Sequence, residues 1–371
     1  MVLRWVLYFD EARRIFGHST VSMFFGTIPM GLATIINGFL VFGVPRWGEG
    51  MVQVAEVLWW IDVAMALGCG VLIPYLMFTR QDHSIDQMTA VWLLPVVAAE
   101  VAAASGGLLA PYLSDTAMQF HVLITSYVLW AFSVPVAFSI LTILILRMAL
   151  HKLPHESMAA SSWLALGPIG TGALGLLLLG ADAPAIFAAN GLARIGEIVE
   201  GLGLISGVIL WGVGLWWIVM AALITIRYFR SGIPFNLGWW GFTFPLGVYS
   251  LATLRLGSML HLSFFDVAGC VLVLALAFFT RHCRVSCRPA ADRSPLRTSQ
   301  PGHFDTGEKM LPAMAQKSPA STANRTARLP ACFPRNAQAL QRCANARLPL
   351  APRSSPGPVA GSSQAGRQPW P

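Results

Sequence analysis

Four prolines at similar spacing are the residues of this chain best placed to shape a path through it. Each stands near the middle of a long apolar stretch: Pro29, Pro95, Pro168 and Pro245. All but Pro95 are followed two residues later by a glycine, at Gly31, Gly170 and Gly247. A proline inside a helix removes one backbone hydrogen bond, and in lipid the freed carbonyl group must be met by protein or by water. The repetition therefore indicates helices whose broken turns face a shared, water-accessible path.

Few ionisable side chains accompany these prolines. Glu100 is the only acid deep within one of the four stretches, and Arg255 lies near the end of the last. A path for cations is expected to carry several acids at depth, whereas broken helices expose N-terminal dipole ends that favour anions. The stretches also contain hydroxyl groups, at Thr27, Thr34, Ser105, Thr171, Thr243 and Ser250. This pattern favours a small anion.

The composition is that of a polytopic membrane protein. Of 371 residues, 55% are hydrophobic and 11% are charged, against about 25% charged in soluble proteins. Eight apolar runs are long enough to cross the ~30 Å hydrocarbon core of a bilayer. They cover residues 18–43, 54–78, 89–110, 117–146, 158–180, 199–225, 236–256 and 260–279.

The four prolines fall on the first, third, fifth and seventh of these runs, which indicates a repeat of helical hairpins. We predict an all-α membrane protein of about eight transmembrane helices in four hairpins, with the kinked odd helices forming an inner ring and the even helices facing lipid. The alternative for any one proline is ordinary packing, because proline is common in membrane helices.

Charge divides the chain into three predicted parts. Residues 1–17 form a cytoplasmic segment, 18–280 the transmembrane domain, and 281–371 a disordered tail that holds 14 of the 25 lysines and arginines. The abrupt change in composition at the tail is also typical of coding sequence read in a shifted frame. Basic residues between the helices collect on one side, which predicts both termini in the cytoplasm and a location in the inner membrane.

Three segments resemble the tellurite-resistance/dicarboxylate transporter family. They are FFGTIPMGLATIING at 24–38, WLLPVVAAE at 92–100 and PFNLGWWGFTFP at 234–245. The family includes malate transporters, sulfite efflux pumps and slow-type anion channels. The resemblance implies ten helices in five hairpins, a central pore enclosed by kinked inner helices, and homotrimers. It also implies that Phe244, directly before Pro245, occupies the position of a phenylalanine that gates the pore.

The chain departs from the family at its beginning. Two helices precede the first matching segment in relatives, but only 23 residues do here. We therefore expect one hairpin to be missing, and the alternative to a transporter is a non-conducting truncated homologue or an assembly subunit.

Two residues have competing interpretations. Without the resemblance, Phe244 is most simply a packing residue of an apolar helix. Glu100 is either an acid hydrogen-bonded to a neighbouring helix or a protonation site that couples anion movement to protons, because burial in lipid favours its neutral form.

The predicted function is transport of small anions, with C4-dicarboxylates such as malate first and sulfite or tellurite second. The apolar spans contain no nucleophile motif, metal-ligand motif or acid pair. We predict no enzymatic activity, no cofactor, no metal site and no nucleic-acid partner; the expected partners are the lipid bilayer and the anion.

Overall fold

The structure, a computed structural model, describes residues 14–155, 158–231 and 237–292. Within these ranges every regular element is helical, as predicted. Eight main helices follow one another: α1 Thr27–Gly38, α2 Gly50–Thr79, α3 Leu94–Leu109, α4 Thr116–His151, α5 Leu166–Ala189, α6 Ala193–Ser231, α7 Thr243–Leu260 and α8 Ser263–Asp292. The predicted domain boundary at residue 280 falls inside α8, and most of the tail lies outside the described residues.

Seven helical spans are long and apolar enough to cross a membrane on those grounds alone. The eighth helix, α7, has 18 residues and carries Arg255 among several hydroxyl groups. The chain is therefore a multi-pass membrane protein with seven to eight helices able to span a membrane, in agreement with the predicted number of about eight.

Each of the odd-numbered helices α1, α3, α5 and α7 is built in two pieces. A short helical segment precedes it: Ser22–Gly26 before α1, Ala90–Leu93 before α3, Ser161–Leu164 before α5 and Leu237–Phe242 before α7. The proline then stands second or third in the α-helix itself. The first turn of a helix has no acceptor for its N–H groups, so proline is tolerated there without loss. The predicted mid-helix kinks are therefore junctions between two helical segments.

Two threonines support these junctions. The Thr27 hydroxyl donates to the Phe24 carbonyl at 2.7 Å, and the Thr243 hydroxyl donates to the Trp240 carbonyl at 2.8 Å. Each threonine lies two residues before its proline. The hydroxyl groups thus add a hydrogen bond to a carbonyl of the preceding short segment at the junction with the α-helix.

Glycines let the inner helices approach closely. A side chain at Gly26 would overlap the carbonyl of Leu94 at the start of α3. A side-chain carbon at Gly107 of α3 would lie 3.0 Å from Leu178 of α5, and one at Gly170 would lie 3.0 Å from the backbone of Tyr249 in α7. The four odd-numbered helices consequently pack in the order α1, α3, α5, α7.

The inner helices follow one another in an arc, and its two ends, α1 and α7, both line one cavity. In the most apolar part of α3 and of α5, 94% and 78% of residues are buried, against 33% in α1. Among the described residues, α7 has no packing with α1 comparable to that of the other neighbours. The two middle helices are therefore enclosed on all sides, whereas α1 and α7 each leave one side uncovered.

The outer helices are fastened to the inner ones by tryptophan. The indole N–H of Trp59 in α2 donates to the Ala102 carbonyl of α3, and that of Trp130 in α4 donates to the Gly172 carbonyl of α5, both at 2.9 Å. Trp211 of α6 donates to Thr253 Oγ1 of α7, also at 2.9 Å. In every case donor and acceptor are 42 or 43 residues apart.

Candidate functional site

The N-terminal ends of the inner helices meet at one cavity of about 620 Å³. Thr27, Gly31 and Thr34 of α1 line one side, Leu94 of α3 and Leu164 before α5 line the next, and Phe244 of α7 completes it. Two predicted site residues, Gly31 and Phe244, therefore lie on the same cavity.

The cavity is apolar and uncharged. Its described lining residues are aliphatic, aromatic, small or hydroxylic, and none of them is ionisable. The positive end of a helix dipole lies at its N-terminus, and the inner helices present that end here. An anion in this cavity would meet several favourable dipoles without a fixed cation that would hold it too tightly to leave.

Phe244 lies beside a gap in the neighbouring helix. The residue is half-buried in the first turn of α7. A side-chain carbon built on Gly167 would lie 3.7 Å from Cε1 of the Phe244 ring, an ordinary contact distance. Gly167 directly precedes Pro168, as Phe244 precedes Pro245, so the two residues hold equivalent positions in adjacent inner helices. The missing side chain of Gly167 leaves room for the aromatic ring.

The prolines are buried within the protein. Pro29, Pro95, Pro168 and Pro245 all have buried side chains. The glycines that follow them differ in their surroundings. Gly31 opens onto the cavity, Gly170 contacts the backbone of Tyr249, and a side chain at Gly247 would lie 3.6 Å from Leu276 of α8.

Glu100 points toward α4. Its side chain is 0% exposed, with Oε2 lying 3.3 Å from Ser133 Oγ and Oε1 lacking a partner in the described part of the chain. Ser133 Oγ also lies 2.8 Å from the Val96 carbonyl oxygen. The Ser133 hydroxyl is thus shared between the Val96 carbonyl and the Glu100 carboxyl group, which it joins to α4.

A second, polar groove lies at the other end of α7. Its lining includes Glu197 and Glu200 of α6 with Arg255, Ser258 and His261. The cavity at the helix N-termini and this groove mark the two ends of the inner helices.

Comparison with known proteins identifies the architecture. Residues 1–287 match the family model described as SLAC1, the voltage-dependent anion channel. The chain belongs to the voltage-dependent anion channel family. Membership agrees with the all-helical fold, with the resemblance read from the three proline-containing segments, and with anion transport as the activity of the family.

Three relatives show which transporters this chain resembles. A sulfite efflux pump of Arthroderma benhamiae is 40% identical over 270 residues, 72% of this chain and 71% of the relative. An uncharacterized transporter of Methanocaldococcus jannaschii is 29% identical over 75% of each chain. The malic acid transport protein of Schizosaccharomyces pombe is 23% identical over 86% of this chain and 75% of the relative.

Sequence reasoning missed several residues that shape the cavity of this anion channel family member. Gly167 carries no signal in the sequence beyond its place before Pro168. Leu94 and Leu164 line the cavity although their residue type is typical of any membrane helix. A search at fixed offsets from each proline could have found all three, because the inner helices repeat one local design.

Proposed function

We propose that this protein conducts sulfite across the membrane through a path gated by Phe244. One observation carries the proposal: the uncharged cavity at which the N-terminal turns of the inner helices converge. The 40% identity to a sulfite efflux pump over most of both chains supports sulfite as the anion.

The gate acts by excluding water. An anion that enters the cavity still keeps part of its hydration shell, since a space of about 620 Å³ surrounds it. At Phe244 an apolar ring offers no replacement for that water, so the ion faces a high free-energy barrier. Movement of the ring away from Gly167 would lower the barrier.

The gate is tested by Phe244→Ala in proteoliposomes loaded with sulfite. We expect sulfite efflux to rise at least about tenfold, because removal of the ring lowers the dehydration barrier by more than about 1.4 kcal/mol. Phe278→Ala is the matched control, since Phe278 is 67% exposed on α8, far along the chain from the cavity residues. Equal efflux from the wild type and Phe244→Ala would reject the gate.

Malate is the second candidate substrate. The sequence placed C4-dicarboxylates before sulfite, whereas the relatives favour the reverse order, with 40% identity to a sulfite efflux pump against 23% to a malic acid transport protein. The order of preference is measured by adding malate, tellurite or chloride and recording how strongly each inhibits sulfite efflux. If malate inhibited efflux at lower concentrations than unlabelled sulfite does, malate would be the better candidate substrate, as the sequence predicted.

Orientation and assembly belong to the same proposal. The basic loops support a cytoplasmic position for both termini and for the cavity, in the inner membrane. The family resemblance supports a homotrimer. The uncovered sides of α1 and α7 support the alternative of a subunit that does not conduct by itself. Crosslinking in native membranes together with efflux from the purified protein separates a conducting trimer from such a subunit.

A further inference from the structure

Two buried hydroxyl groups on the inner helices have no hydrogen-bond partner. Ser105 of α3 is 0% exposed and Thr171 of α5 is 1% exposed. Neither Ser105 Oγ nor Thr171 Oγ1 has a partner within the described part of the chain. A buried hydroxyl without a partner costs about 1–3 kcal/mol, so such groups are rare unless they have a use.

Other hydroxyl groups in this protein avoid that cost locally. Ser126 donates to the Val122 carbonyl at 2.7 Å, Ser250 to Leu246 at 2.6 Å, and Thr280 to Leu276 at 2.8 Å. In each case the acceptor lies four residues earlier in the same helix, the usual partner for serine and threonine in a helix. Ser105 and Thr171 have the same type of acceptor within reach and do not use it. Their protons are therefore available to another acceptor.

Both hydroxyl groups lie on the faces that line the path. Thr171 comes one turn after Gly167, the position beside the Phe244 ring, and residues four apart share a face of a helix. Ser105 comes eleven residues, three turns, after Leu94, which lines the cavity. Thr171 thus continues the side of α5 that faces Phe244, and Ser105 continues the cavity-facing side of α3.

The register of the two helices gives their order along the path. A side-chain carbon at Gly175 of α5 would lie 3.9 Å from Cβ of Ala104, and one at Gly107 would lie 3.0 Å from Leu178. Each residue of α5 therefore lies at the same depth as the α3 residue 71 positions before it in the chain. Thr171 is then level with Glu100, and Ser105 is five residues deeper, about 7.5 Å at the rise of an α-helix. An anion that passes Phe244 would reach Thr171 first and Ser105 next.

We propose that Thr171 and Ser105 donate successive hydrogen bonds to the anion after it passes Phe244, as an inner binding site for a small oxyanion. The proposal rests on the proposed function. Hydroxyl donors suit this position because they replace lost hydration with neutral hydrogen bonds, which hold an anion without trapping it as a fixed cation would. Both residues are almost completely buried, so the site is closed in this structure and has to open before an anion can enter it.

The test uses Ser105→Ala and Thr171→Val in the Phe244→Ala background, where the gate no longer limits passage. We expect each change to reduce sulfite efflux about tenfold, since one hydrogen bond to a charged ligand is lost. Ser126→Ala and Thr280→Val remove hydroxyl groups that are already bonded within outer helices, and we expect efflux near that of the background. Efflux from the Ser105 and Thr171 variants equal to that of these controls would overturn the inner site and leave the gate standing.

A binding measurement tests the inner site independently of transport. We expect sulfite to raise the melting temperature of the purified Phe244→Ala protein, and Ser105→Ala with Thr171→Val to abolish that rise. In the absence of sulfite the same changes should preserve or raise the melting temperature, because they remove unpaired buried groups. A melting temperature that falls without sulfite would indicate a structural role and reject the site. If Phe244→Ala shows neither efflux nor a sulfite-dependent rise, both proposals fail.

Discussion

At the scale of single residues, one local position differs among otherwise similar helices. The residue directly before the proline is Ile28 in α1, Leu94 in α3, Gly167 in α5 and Phe244 in α7. The largest and the smallest of these side chains face each other across the α5 and α7 contact. The pairing explains how a bulky ring can lie between α5 and α7 without forcing the two helices apart.

Glu100 gives a prediction about proton coupling. Glu100→Gln keeps the volume of the side chain and a hydrogen-bonding group beside Ser133 but cannot exchange a proton. We expect sulfite efflux in this variant to lose its dependence on an imposed pH gradient while continuing down the sulfite gradient. The measurement is efflux from proteoliposomes at several internal and external pH values.

The control is Asp62→Asn, because Asp62 is equally buried but lies on the outer helix α2. An unchanged response to the pH gradient in Glu100→Gln would assign the residue to packing between α3 and α4 alone.

Close packing at Gly170 gives a prediction about stability. In Gly170→Ala the added carbon lies 3.0 Å from a backbone atom of Tyr249, which cannot rotate away, so α5 and α7 must separate. We expect a loss of about 1–3 kcal/mol in the free energy of unfolding, measured in detergent by denaturant titration. Gly38→Ala meets nothing within 4 Å and should be neutral or stabilising. Equal stability of the two variants would contradict the tight contact.

At the scale of helices, the tryptophan bonds define the hairpin repeat. Trp59, Trp130 and Trp211 lie on successive outer helices, and each donates to the inner helix that follows it. The constant separation of 42 or 43 residues fixes the register between the outer and the inner helices. An indole that donates in an apolar environment is worth more than its packing alone, because the acceptor there has no water to bond.

Replacement of these tryptophans by phenylalanine tests the register. Each of Trp59→Phe, Trp130→Phe and Trp211→Phe should lower the free energy of unfolding by about 1 kcal/mol or more, through the lost hydrogen bond and the smaller ring. Trp60→Phe, at a side chain that is 39% exposed, should cost less. Thermal unfolding followed by tryptophan fluorescence gives the comparison, and a larger loss at Trp60 than at the other three would contradict it.

The helices themselves were predictable, whereas their junctions and contacts were not. Apolar length gives the eight spans, and the period of Pro29, Pro95, Pro168 and Pro245 gives the inner and outer classes. Hydropathy says nothing about whether a proline stands inside a helix or at its start, so the two-piece construction at Thr27 and Thr243 appears only in the structure. The free hydroxyl groups of Ser105 and Thr171 were equally hidden, because hydrogen bonding depends on rotamer and neighbours.

At the scale of the whole molecule, the arc separates two kinds of exposed surface. Apolar side chains of α8 such as Leu274, 70% exposed, lie on the outer side. Exposed positions of α1 such as Thr34 line the cavity instead. Both kinds are accessible in the isolated chain, but only the second is expected to meet water in a membrane.

Single cysteines distinguish water from lipid and one membrane face from the other. In a background without the native cysteines, Thr34→Cys should react with a membrane-impermeant thiosulfonate added from the cytoplasmic side. Ser258→Cys, in the polar groove at the other end of α7, should react only from the opposite side, and Leu274→Cys from neither. Labelling of Thr34→Cys and Ser258→Cys from the same side would contradict a path along the inner helices. Labelling of Leu274→Cys would place α8 in water, where an exposed apolar face of this length would not be stable.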